Sequence, residues 1–135
     1  MLQLSRIAHL AMIAHAYDCL PEEACGLLAG EYGGTTAPRF FPCRNEAASS
    51  KLYTVDGRDL LRADREASAD GLDLVGVMHS HTHTDAYPSP TDVRQAVDPA
   101  WHYLIVSLKY EVPVVRSYLI VDGVITEEPV LVTPS

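Results

Sequence analysis

Leu74-Val75-Gly76-Val77-Met78-His79 is a nearly unbroken apolar run, and it constrains the fold of this chain more than any other stretch. A strand with one wet face alternates apolar and polar residues, whereas a strand apolar throughout needs cover on both faces. The chain must therefore supply covering layers as well as neighbouring strands. From Leu4 to about Cys19 the residues Leu4, Ile7, Ala8, Leu10, Ala11 and Ala14 fall at helical spacing, with Ser5 near the start as a cap. This predicts a helix with a broad buried face, stopped by Pro21. A second helix is predicted from about Gly57 to Ala69, capped by Asp56 and ended by Asp70-Gly71.

Between and beyond the helices the pattern is extended. Ala24 to Ala29 reads as a short buried strand ended by Gly30 and turned by Gly33-Gly34, and a second strand follows at about Arg39 to Cys43. Tyr53 to Val55 suits a further short strand. A proline-punctuated segment, His81 to Pro90, leads to a short helix from about Thr91 to Val97. Tyr103 to Leu108 and Val114 to Val121 are β-branched and aromatic, and Asp122-Gly123 is a hairpin signal before Val124 to Thr126. The order α, β, β, α, β, short α, β, β, β predicts an α/β sandwich with a mixed, largely antiparallel sheet flanked by helices. At 135 residues, with no repeat or linker, the expectation is one domain spanning residues 1–135.

Composition narrows the function classes. With 18 acidic against 10 basic side chains the net charge is −8, and no basic cluster offsets it, which argues against nucleic acid as a partner. No apolar stretch approaches the length of a membrane span. Cys19, Cys25 and Cys43 are odd in number and form no C-x-x-C pair, which argues against a disulfide framework or a thiolate zinc site and for a cytoplasmic protein. Arg6 followed by the run Ile7 to Ala14 loosely imitates a secretion signal, but His9 interrupts it and an amphipathic helix is the plainer reading.

His79 and His81 stand two apart at a strand end, so both imidazoles project from one face. Asp92 follows eleven residues later in the first turn of the short helix, where its carboxylate can return to them. Two nitrogens and one oxygen, with a fourth position left to water, are the donor set of a catalytic zinc site. Such a site needs a free carboxylate as general base, and Glu22 or Glu23 can supply one; it also needs a donor for the developing oxyanion, which Ser89 can be. Ser89-Pro90-Thr91-Asp92 reads equally well as a capping box, and there Asp92 is expected to have to choose between the backbone amide and the metal.

Glu23-Ala24-Cys25-Gly26, then His79-Ser80-His81, seven residues, Ser89, two residues and Asp92, resembles the JAMM signature of catalytically competent MPN domains. The resemblance implies the MPN (JAB1/MPN, cytidine-deaminase-like) fold and one zinc ion held by His79, His81 and Asp92. It also selects Glu23 over Glu22 as the base, because Gly26 follows Glu23 at the family's spacing, and it makes Ser89 the residue that steadies the tetrahedral intermediate. Thr82 departs from the proline many members carry after the second histidine.

Further segments, including Ala86-Tyr87-Pro88-Ser89, His102-Tyr103 and Arg116 to Val130, are similar to the small actinobacterial MPN peptidases of cysteine biosynthesis. That similarity implies hydrolysis after the C-terminal Gly-Gly of a ubiquitin-fold sulfur carrier of the CysO type, with release of cysteine. The other readings are an isopeptidase that removes a ubiquitin-like protein from conjugates and a non-catalytic MPN scaffold. The sequence leaves a homo-oligomer open.

Several residues invite a site role and have plainer ones. His83 is a substitute ligand by alternation but suits a loop surface, and Cys25, on the strand face of Glu23, suits a small buried residue. His9 and His15 share no helical face, and His102 suits a packed or rim position. Asn45 is placed to fix loop backbone near the cleft.

Overall fold

The computed structural model describes residues 1–134. Along the chain run β1 (Leu2–Ser5), α1 (Arg6–Asp18), β2 (Cys25–Gly30), β3 (Thr36–Ala37), β4 (Arg39–Cys43), α2 (Gly57–Ala69), β5 (Asp73–His81), α3 (Pro90–Gln95), β6 (His102–Ser107), β7 (Val114–Val121), β8 (Val124–Glu128) and β9 (Val130–Thr133). A six-stranded sheet has the order β4-β2-β5-β6-β7-β8, and only its β5–β6 pair is parallel. The sheet is thus mixed and largely antiparallel, as the sequence pattern predicts. β5 occupies an interior position and is apolar because both its faces are covered.

The two helices supply that cover. On one side Met12 and Ala16 of α1 pack with Leu28, Met78, Leu104 and Val106; on the other Ala63 and Ala67 of α2 pack with Leu27, Val77, Ile105 and Tyr118. α2 begins with the Asp56 side chain accepting from the Asp59 amide and ends before Gly71, whose φ is +72°. α1 differs from the expectation. It starts at Arg6, where Ser5 Oγ accepts from the Ala8 amide, and its buried stripe is only Ala8, Met12 and Ala16. Ile7 and Leu10 are 76% and 58% exposed, so the face is narrow rather than broad.

Leu4 belongs not to that helix but to β1, which forms with β3 and β9 a second, all-parallel sheet that the sequence reading did not contain. Tyr53 to Val55 forms no strand; Val55 makes one isolated bridge with Asn45. The short helix ends at Gln95, leaving Val97 outside it.

Two close approaches shape the sheet around the site. A Cβ on Gly26 would meet the Phe40 ring at 2.3 Å and the Phe41 carbonyl oxygen at 2.6 Å, so β4 can lie against β2 only because this residue is glycine. Gly76 likewise admits the His102 carbonyl oxygen, which would stand 2.5 Å from a Cβ there. Next to Gly76, β5 slips its register against β2: Leu28 pairs with Gly76 and Ala29 with Leu74, leaving Val75 as a bulge. Beyond the bulge Val77, His79 and His81 share the face that looks towards α2.

Candidate metal centre

At the end of β5, His79 and His81 are buried at 3% and 5% exposure. Their Nε2 atoms lie 3.1 Å apart, and each lies 3.1 Å from Asp92 Oδ2. The three side chains form a group whose donor atoms can hold a metal ion. Tetrahedral zinc with bonds of about 2.0–2.1 Å has ligand-to-ligand edges of about 3.3–3.4 Å, so a triangle with sides of 3.1 Å is close to three vertices of that figure. His81 Nδ1 donates to the Asp85 carbonyl oxygen over 2.7 Å, which leaves Nε2 of the neutral ring as a bare lone pair. A lone pair pressed against a carboxylate oxygen and a second imidazole is repulsive unless a proton or a cation sits between them. The donor set therefore fits zinc.

Asp92 does not have to choose. Its Oδ2 accepts from the Ser89 amide over 2.9 Å while Ser89 Oγ accepts from the Asp92 amide over 3.1 Å, so the capping box is complete and the same oxygen still faces both imidazoles. A carboxylate oxygen has lone pairs enough for both tasks, and the helix cap becomes the device that aims the ligand. Burial pushes the Asp92 carboxyl up, but the adjoining imidazoles of His79 and His81 and the hydrogen bond from the Ser89 amide outweigh it and hold the group far below the usual carboxylate range. Burial lowers His79. For His81 burial acts in the same direction but is outweighed by Asp92 and the Asp85 carbonyl, so the imidazole is raised. The Tyr53 ring stacks on His79 with centroids 4.4 Å apart.

Glu22 is exposed, whereas Glu23 is buried at 4% exposure and its Oε1 has no hydrogen-bond partner. Burial, with a contribution from Asp92 and against one from His81, pushes its carboxyl up to about 7. Glu23 lines a pocket of about 300 Å³ together with Ser50, Lys51, His81, Thr82 and Ser89. Its backbone is fixed from three sides. Ser80, between the two histidines, accepts from the Ala24 amide over 2.7 Å; the Glu23 amide donates to the Ser49 carbonyl; and Asn45 Nδ2 donates to the Glu23 carbonyl over 3.1 Å. The Asn45 expectation holds.

Cys25 lies opposite His79 in the strand register but is fully buried, donates to the Arg44 carbonyl and has its thiol pushed up to about 12, chiefly by burial. His83 lines the pocket from an exposed position outside the metal-holding group. His102 is packed, with Nδ1 2.6 Å from Glu128 Oε2. In place of the proline, Thr82 Oγ1 donates to the Ser50 carbonyl and ties that loop to the neighbouring one. Sequence reading missed Tyr53 as a wall of the site, the Asp85 carbonyl behind His81 and the bolt formed by Ser80. Of these only Ser80 carried a signal, its place inside the histidine pair.

The match to known proteins agrees with this geometry. The model of prokaryotic homologues of the JAB domain matches residues 5–121. The CysO-cysteine peptidase of Mycobacterium tuberculosis is 45% identical over 125 residues, covering 89% of this chain and 83% of that protein. A desampylase of Haloferax volcanii is 33% identical over 78% of this chain and 80% of its own length. A probable TtuB-protein conjugate cleaving protease of Thermus thermophilus is 32% identical over 82% and 70%.

Among solved structures, a protein of Desulfitobacterium hafniense superposes with a TM-score of 0.90 at 36% identity, covering 100% of this chain and 94% of that one. A chain described as a JAMM metalloprotease-like zinc site in the proteasome and signalosome shares the fold, with a TM-score of 0.63 at 16% identity and 98% of both chains covered. The chain thus belongs to the prokaryotic JAB-domain family of JAMM-type hydrolases.

Proposed function

We propose that this protein is a zinc-dependent peptidase that hydrolyses the peptide bond after the C-terminal Gly-Gly of a ubiquitin-fold sulfur carrier, releasing cysteine in the cytoplasm. His79, His81 and Asp92 would hold one zinc ion. When bound, such an ion acidifies water and polarises a carbonyl group. Glu23 takes the proton of the attacking water and delivers it to the leaving amine, a task open to it because its buried Oε1 is not engaged by any other group. Ser89 Oγ accepts from the Asp92 amide, which leaves its O–H free to donate to the developing oxyanion in the pocket it lines.

The observation that carries this reading is the closed triangle of donor atoms beside a buried carboxylate with an unpartnered oxygen. The substrate class rests on the relatives, since the 45% identical protein is a CysO-cysteine peptidase. A pocket of about 300 Å³, at the small end of ligand sites, suits a thin glycine tail and one small residue. Three cysteines without disulfides, two of them buried, suit a reducing compartment. His79 and His81 lie at the end of interior strand β5, away from the sheet edges at β4 and β8, so an extended tail would pair with the loops around Ser49 and Thr82 rather than with an edge strand.

A second reading, cleavage of conjugates at an isopeptide bond, is favoured by the similarity to the conjugate cleaving protease of Thermus thermophilus. Intact-mass analysis of a carrier-cysteine adduct decides between them. The proposed activity removes one cysteine with wild-type protein and none with Glu23→Gln. An adduct that survives while a lysine isopeptide conjugate is cut would replace this reading with the second.

A further inference from the structure

We infer that Lys51 binds the free C-terminal carboxylate of the residue that leaves, and so makes the site selective for a terminal residue over an internal or isopeptide bond; this rests on the proposed hydrolysis of a carrier adduct. Lys51 is the sole lysine or arginine on the wall of the pocket that Glu23, His81 and Ser89 line. Its ammonium group enters no ion pair among the described residues, as is also true of Arg6, Arg44, Arg58, Arg65 and Arg94; what sets Lys51 apart is that it alone of these lines this pocket.

The position of Lys51 relative to the base is built into the fold. Glu23 donates its amide to the Ser49 carbonyl over 2.8 Å, the Lys51 amide donates to Ser49 Oγ over 3.0 Å, and Thr82 Oγ1 donates to the Ser50 carbonyl over 3.4 Å. The short segment that carries Lys51 is therefore tied both to the backbone of Glu23 and to the loop after the metal ligands. Its location follows that of the base.

The chemistry assigns the side of the cleft. The base that takes a proton from water hands it to the leaving amine, so the leaving residue must lie within reach of Glu23, in the pocket Glu23 lines. When that residue is the last of the chain, its carboxylate follows the amine by one Cα. With Asp92 and Glu23 ionised, the two carboxylates would balance the charge of a bound zinc ion, so a chain of net charge −8 still repels such a carboxylate unless a further local cation offsets it. Lys51 is that cation. A lysine isopeptide or an internal peptide bond brings no carboxylate to this place and gains nothing from it.

The test compares a carrier adduct ending in Gly-Gly-Cys carboxylate with the same adduct ending in the carboxamide, using zinc-loaded full-length enzyme. Wild-type protein should cleave the carboxylate form with a kcat/KM about tenfold higher, chiefly through KM. The ratio should fall towards one in Lys51→Ala and return in Lys51→Arg. As a readout independent of turnover, the Gly-Gly-Cys tripeptide should bind the Glu23→Gln protein more tightly than its amide, and the preference should vanish when Lys51→Ala is added. Equal cleavage of both adducts by the wild type, or a preference that persists in Lys51→Ala, overturns this inference and leaves the peptidase reading standing. Failure to cleave either adduct overturns both.

Discussion

Replacing Glu23 with glutamine should stabilise the metal-free protein while removing its activity, and the gain should depend on pH. Folding moves this carboxyl from 4.5 to about 7, with burial as the largest cause. Because the folded value lies above the unfolded one, the stability it contributes is complete only below the unfolded value and is lost as pH rises through about 7. At about pH 8 the loss corresponds to about 3 kcal/mol for a fully dry group, and water at the pocket mouth screens it to roughly 2 kcal/mol. The glutamine amide is neutral throughout. The variant should therefore exceed the wild type by roughly 2 kcal/mol at pH 8 and by less than half of that at pH 5.5. Urea unfolding in chelator, followed by circular dichroism at both pH values, measures the difference. Equal stabilities at pH 8, or a gap that does not shrink at pH 5.5, would refute the claim that the fold holds an unpartnered carboxylate out of water for catalysis.

Asp92→Asn keeps an acceptor for the Ser89 amide but removes the charge, so α3 should persist while zinc affinity drops by about 100-fold or more, as read by competition with a chromophoric chelator. Ser89→Ala should lower stability by about 1 kcal/mol through loss of the cap and lower kcat by about 100-fold; an unchanged kcat would remove Ser89 from the chemistry. Gly26→Ala places a methyl 2.3 Å from the Phe40 ring and should cost about 1–3 kcal/mol in thermal or urea unfolding.

Glu128→Gln should cost about 3 kcal/mol near pH 6, because it leaves His102 without its carboxylate partner. Burial opposes ionisation of Glu128, but bonds from His102 and Ser117 lower its folded pKa. The stability it contributes is therefore present above its ordinary value and lost as pH falls, so the penalty should fade in acid.

The parts of this molecule that could be read from the sequence are those set by periodicity or by short fixed spacing. The covered strand β5, the limits of α2 and the turn at Asp122-Gly123 follow from local pattern, and the turn's φ values of 50° and 77° are those its residues favour. The donor set was legible because His79 and His81 share a strand face and Asp92 is aimed by its own helix cap. What stayed hidden depends on partners far away in the chain. β1, β3 and β9 span two to four residues each, too few to show a period, and Leu4 fell in register with the helix that follows it. α1 reads as broad because its apolar residues are many, yet only Ala8, Met12 and Ala16, at every fourth position, are buried. The segment from Asn45 to Lys51, which brings Ser50 and Lys51 to the pocket wall, is held by bonds of Asn45 and Ser49 to Glu23 and of Ser50 to Thr82 that no local pattern encodes.

The central claim is that one zinc ion at His79, His81 and Asp92 drives the hydrolysis. Zinc should be titrated into metal-free protein while cysteine release from a carrier-cysteine adduct is followed by mass spectrometry. The account predicts activity that rises linearly and levels at one equivalent in the wild type, with no rise in Asp92→Ala. Full activity in the chelated protein, or the same zinc response in Asp92→Ala, would contradict it.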